Sequence, residues 1–192
     1  MSAARGLAVS IALALAASPA CALDLRDIAA TLGAVDQSRV RFVDVRTIAS
    51  LGTPVERRGT LAYAKPSTLE MVVETPLAER LSIVGGTMTI ESRGATRVVD
   101  LSRGEPLFAW IEGIRATLAG DEAALRKHFD PTVSGTIDRW TLRLAPRDLR
   151  LRSLVAGIAI SGERERVRVI EVEEASGDHS VMTLTPIAAA GR

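Results

Sequence analysis

Cysteine is all but absent: Cys21 is the only one in the chain, so no intramolecular disulfide can form. Histidine is nearly as scarce, with only His128 and His179. Two isolated histidines fit no zinc-ligand spacing. Neither has a Gly-x-Ser-x-Gly elbow, a cysteine partner or a convincing orienting acid nearby, so no nucleophilic triad is readable. Both read as surface residues. Aromatic residues make up 3% of the chain, too few for stacking on bases or sugars. A formal charge of +1 provides no basic field for nucleic acid. The expectation is a non-enzymatic protein with no catalytic residues, metal, cofactor or nucleic-acid partner.

Long apolar runs are missing except at the start. Arg5 precedes the run Gly6 to Ala17, Ser18-Pro19 breaks it, and Ala20-Cys21-Ala22 follows as a small-x-small cleavage site. The run is too short for a permanent membrane anchor. Residues 1–22 are therefore predicted to be a signal peptide, cleaved to leave a periplasmic chain starting at Leu23. Cys21 leaves with the leader. Acylation of Cys21 would need an aliphatic residue where Ser18 stands. The remainder, roughly 170 residues, suits one domain with a sizeable core. It is expected to span residues 23–187, with a flexible tail at 188–192.

What is present is short strands. Leu25, Ile28, Ala29 and Leu32 first mark one helical face, ended by Gly33. Alternating segments follow at Val40–Ile48, Val55–Ala64, Thr68–Glu74, Leu81–Val84, Met88–Ser92 and Thr96–Leu101. Gly85-Gly86 reads as a hairpin turn. Leu107, Phe108, Ile111, Ile114 and Leu118 then form a helical stripe ended by Gly120. Asp121 is placed to cap a second helix, Glu122–His128. Strands resume at Val133–Ile137, Arg139–Leu144, Gly157–Ser161, Val167–Glu173 and Ser180–Thr185, with a turn at Gly177-Asp178. Asp148–Val155 reads equally as short helix or irregular chain. The predicted fold is α+β and mainly β. It is an unclosed antiparallel half-barrel of about eleven strands, with an N-terminal helix and a helical lid over a hydrophobic cavity.

The segment from Arg58 to Pro76 carries the site argument. Leu61 and Tyr63 lead into a turn at Lys65-Pro66-Ser67, and Leu69, Met71 and Val73 continue on one face. If the sheet stays half open, Leu69, Met71, Val73, Met88 and Ile90 face Leu107, Phe108, Ile111 and Ile114 across one apolar space. Methionines adapt to irregular ligands, and such a space suits acyl chains. The run Arg139, Arg143, Arg147, Arg150 and Arg152 reads as a solvated face, or as a docking surface for anionic headgroups or an acidic partner.

Several local runs carry a resemblance to a known family: Val40-Arg41-Phe42, Gly59-Thr60-Leu61-Ala62-Tyr63 and Lys65-Pro66-x-x-Leu69-x-Met71. Further along are Phe129, Gly135, Trp140-Thr141-Leu142-Arg143-Leu144-x-Pro146 and Glu173-x4-Asp178. With the leader, they make the chain resemble the LolA family of periplasmic carriers of outer-membrane lipoproteins, over nearly all of residues 25–186. The resemblance implies a monomer that takes lipoprotein acyl chains or other lipids from an inner-membrane donor to an outer-membrane acceptor. The alternative is a lipid-sensing regulatory or scaffold module built on the same half-barrel, and the shuttle is preferred because such a regulator usually carries a second domain. The resemblance makes Lys65, standing where typical carriers have arginine, the candidate lid latch. Met71 replaces the usual tryptophan, and Met88-Thr89-Ile90 replaces an aromatic-rich strand.

Overall fold

The computed structural model describes residues 23–101 and 106–187, with side chains of the second helix described from Ile111 onward. The predicted leader, residues 1–22, and the predicted tail, residues 188–192, lie outside the described residues. Among the described residues, four helices, α1 (Leu25–Gly33), α2 (Pro106–Ala119), α3 (Glu122–His128) and α4 (Leu149–Arg152), accompany eleven strands. The strands are β1 (Gln37–Thr47), β2 (Pro54–Ala64), β3 (Thr68–Thr75), β4 (Glu79–Val84), β5 (Thr87–Ser92) and β6 (Ala95–Asp100). After the helices come β7 (Phe129–Thr136), β8 (Arg139–Pro146), β9 (Val155–Glu163), β10 (Arg166–Glu174) and β11 (His179–Pro186).

All eleven strands form one sheet in the order β6-β5-β4-β3-β2-β1-β11-β10-β9-β8-β7. Consecutive strands pair as antiparallel hairpins throughout, except that β1 pairs with β11 and β6 does not pair with β7. Two meanders are thus fused along the first and last strands. The edges are β6 and β7, which are neighbours in sequence. The chain between them, α2 and α3, must travel from one edge of the sheet to the other.

Local chemistry explains the helices. Asp24 caps α1 by accepting from the Asp27 N–H, and Asp27 returns a bond to the Asp24 N–H, both at 3.0 Å. This fixes the helix so that Leu25, Ile28, Ala29 and Leu32 are buried. Pro106 occupies the first position of α2, where its missing N–H costs nothing. Gly120 ends that helix at φ +66°, and a Cβ there would sit 2.2 Å from the Ala29 carbonyl oxygen. Only glycine lets α1 and α2 approach so closely. Asp121 caps α3 through the Ala124 N–H at 2.9 Å.

Register places the core on one sheet face. One cross-strand row runs Arg57, Asp44, Met182, Ile170, Ile160 and Leu142. A parallel row runs Leu81, Met71, Leu61 and Val40. Ile111 and Ile114 of α2 pack into this same cluster.

Most strand boundaries shift by one to four residues from the sequence reading, and three of the differences are instructive. β7 starts at Phe129 rather than Val133, because Pro131 lies on an edge strand and needs no ladder donor. Asp148–Val155 resolves into α4, capped by the Asp148 side chain on the Arg150 N–H at 2.6 Å. Pro186 is part of the sheet, paired with Val40.

Gly59 marks a tight point where β2 and β3 shift register. A Cβ there would lie 1.9 Å from the Val72 carbonyl oxygen and 3.0 Å from Phe42 Cε1. Backbone cannot move aside cheaply, so Gly59→Ala should cost about 1–3 kcal/mol or more. Gly157, whose Cβ would meet nothing within 4 Å, is the control. Urea unfolding of both variants checks this, and equal midpoints would refute it.

Candidate functional site

Between α2 and the sheet lies an apolar cavity of about 300 Å³. Leu61 and Leu69 with Met71 form its floor on β2 and β3, and Leu81 extends it onto β4. Ile111 and Ile114 line it from α2, and Val155, Ile170, Val172 and Met182 line it from β9, β10 and β11. The alternation of β2, β3, β10 and β11 aims these side chains to one side, so the lining follows directly from strand period.

Of the residues singled out from sequence, Leu69, Met71, Ile111 and Ile114 meet at this cavity. Val73 and Met88 are buried in the packed core, and Ile90 packs against it. Leu107 and Phe108 fall on helix positions whose side chains lie outside the described residues. Lys65 donates from Nζ to Asp36 Oδ1 at 3.0 Å and from its backbone N–H to the Asp36 carbonyl at 2.9 Å. It ties the β2–β3 turn to the segment joining α1 and β1. The histidines are half-buried rather than fully on the surface. Burial pushes the His128 pKa below its ordinary value. Arg147 pairs with Asp130 at 3.1 Å and Arg152 donates to the Pro146 carbonyl, so part of the arginine run serves the fold.

One end of the cavity is ionic, and the sequence reading missed it. Asp44 is completely buried and accepts two bonds from Arg57, from Nε at 3.0 Å and Nη2 at 2.6 Å, and one from the Ser180 hydroxyl. Next to it, Arg46 Nη2 reaches Glu174 at 2.7 Å and Asp178 at 3.2 Å. Arg46 Nε is buried without a partner. Arg46, Arg57, Glu174 and Ser180 all line the cavity. A signal was available: Phe42-x-Asp44-x-Arg46 keeps strand phase, so both charges share the face of a buried phenylalanine.

At the other end of Leu61 a second apolar space of about 240 Å³ lies under Leu32, Leu118, Tyr63 and Leu184. The Tyr63 hydroxyl is buried without a partner, and desolvation pushes its pKa up. Among the described residues no cluster of three or more metal-ligating side chains is found.

Comparison with known proteins adds a family. The family model described as outer membrane lipoprotein carrier protein LolA-like matches residues 16–191. No curated protein matches. Among solved structures, the chain is similar to a LolA superfamily protein from Nitrosomonas europaea, at 12% identity, covering 88% of this chain and 96% of that one with a TM-score of 0.46. A DUF1329 family protein from Desulfovibrio piger shows 10% identity, coverage of 88% and 93%, and a TM-score of 0.47. The MucA/MucB complex of Pseudomonas aeruginosa shows 14% identity and a TM-score of 0.48, with this chain spanning 59% of the matched one. At such identities the likeness does not extend to a ligand or a partner.

Two tests follow from the ionic end. Arg57→Met strands the Asp44 carboxylate in the interior and should cost about 3 kcal/mol. Adding Asp44→Val should restore much of that, because no buried charge is left unpaired. A double variant no more stable than Arg57→Met in urea unfolding would show that the pair itself is what stabilises.

The Asp178 carboxyl is held below its ordinary value of 3.8 by the Ala49 N–H and then by Arg46. Its contribution to stability is therefore full above that value and lost as pH falls through the lowered folded pKa. Melting temperature should drop through this acid range in the wild type, and Asp178→Asn should flatten part of the drop. Parallel profiles would remove Asp178 from the linkage.

Proposed function

The chain belongs to the LolA-like family of outer membrane lipoprotein carrier proteins, and from that premise we propose that it carries acyl chains in the cavity beneath α2. The cargo is the acyl part of a lipoprotein or of another lipid, collected at the inner membrane and moved through the periplasm toward the outer membrane. The single observation that supports this reading is the cavity itself, lined mainly by aliphatic and thioether side chains from both meanders and from α2, with charged groups at one end.

A carrier of this kind needs transfer free energy rather than a reacting group. Each methylene taken from water contributes about 0.8 kcal/mol, and thioethers adapt to an occupant better than rigid side chains do. The route for cargo requires α2 to lift from Leu61 and Leu69, since Ile111 and Ile114 cover the space. The periplasmic location is supported by the leader pattern at residues 1–22 and by the family. Among the described residues no helix is long and apolar enough to cross a membrane.

Met71→Asp places an unpaired polar group on the cavity floor at a cost of about 1–3 kcal/mol. Affinity for a fluorescent fatty acid should fall by roughly tenfold or more, with thermal melting as the folding control. Unchanged affinity in a folded variant would mean that the cavity is not the site. A second measurement, movement of labelled lipid from donor to acceptor vesicles, separates carriage from sensing. Binding without transfer would favour a lipid-sensing module.

A further inference from the structure

We propose that the two apolar spaces under α2 are compartments of one channel, divided by the single side chain of Leu61, and that the ligand is a long unbranched hydrocarbon chain threading both. This rests on the acyl-binding reading and specifies its ligand.

Three observations carry it. Leu61 is the one residue that lines both spaces, the 300 Å³ cavity and the 240 Å³ space beyond it. The two spaces are strung along the same helix face. Ile111 and Ile114 cover the first and Leu118 covers the second, four residues or about 6 Å further along the axis. Both spaces end in charged side chains: Arg46 and Glu174 at one end, Glu165 and Arg166 at the other. A mainly aliphatic passage with charged groups at each end, and the Tyr63 hydroxyl within the second space, fits an extended chain lying parallel to α2.

The divider also sets the shape of what passes. A leucine side chain leaves its place by a change of rotamer among staggered wells, whereas its strand is held on both sides by β1 and β3. With α2 in place the passage at Leu61 is therefore narrow, which suits a chain of methylenes.

Straight-chain fatty acids from octanoate to stearate, measured by displacement of a fluorescent probe, test this. In the wild type, affinity should keep rising beyond the length that fills the first compartment, by up to roughly fourfold for each further methylene buried. Leu118→Trp, which fills only the second compartment, should leave octanoate binding unchanged and weaken stearate at least tenfold. Ile111→Trp should weaken both ligands. Leu118 is half-buried and absent from the lining of the first cavity, and unchanged octanoate binding is the control that its variant is folded. Stearate binding as tight in Leu118→Trp as in the wild type would overturn the channel, as would a wild type that binds octanoate but gains nothing from longer chains. A wild type that binds no chain of any length overturns the acyl-binding reading and the channel with it.

Discussion

The antiparallel pairing of β1 with β11 is the constraint on which the rest depends. It runs from Val40–Pro186 to Thr47–His179 and joins the meander β1–β6 to the meander β7–β11. Each meander is a chain of local hairpins, which form at low loop-closure cost. Their union brings together the two ends of the domain and is the long-range contact that makes one sheet of two. It also fixes phase. With Asp44 opposite Met182 and Arg46 opposite Ser180, the ionic cluster and the apolar wall must share one face.

Because that union sits in the middle of the sheet, both edges are left open, and sequence neighbours β6 and β7 end up farthest apart. The segment between them has to cross the sheet, and it does so as an apolar helix. Interiors normally pack at crystal-like density, which a continuous sheet folding against a helix would reach if their surfaces matched. Here α2 is anchored at its C-terminal end by the Gly120 contact with α1, and its earlier turns stand over Leu61 and Leu69 with space between. The cavity is thus a consequence of how the helix is fastened.

Charge at the cavity end has a structural role. Arg57 and Ser180 satisfy a carboxylate that would otherwise be stranded in the interior, at a desolvation cost that apolar residues of similar volume would avoid. Arg46 in turn holds Glu174 and Asp178, and Asp178 accepts the Ala49 N–H. The β1–β2 loop, the β10–β11 turn and the mouth of the cavity are pinned by one set of bonds. Rigid edges at an opening are what a binding site needs if only the helix is to move.

Strand period, helix stripes, capping aspartates and turn glycines are local, and the sequence by itself determined them. Leu25–Leu32, the part of the stripe from Ile111 to Leu118, and the alternation of Leu61, Tyr63, Leu69 and Met71 stand in the structure where their spacing puts them. Leu69, Met71, Ile111 and Ile114 were readable as cavity wall for the same reason. The tertiary structure alone decided which strands meet across the join. Register between β1 and β11 spans almost the whole domain, and no local pattern encodes it. That register brings Ser180 to the Asp44–Arg57 pair of the β1–β2 hairpin and sets Met182 opposite Asp44, so that Ile170 and Met182 join Leu61 around one cavity. A face can be read from one strand, but a cavity depends on what a distant strand brings to it.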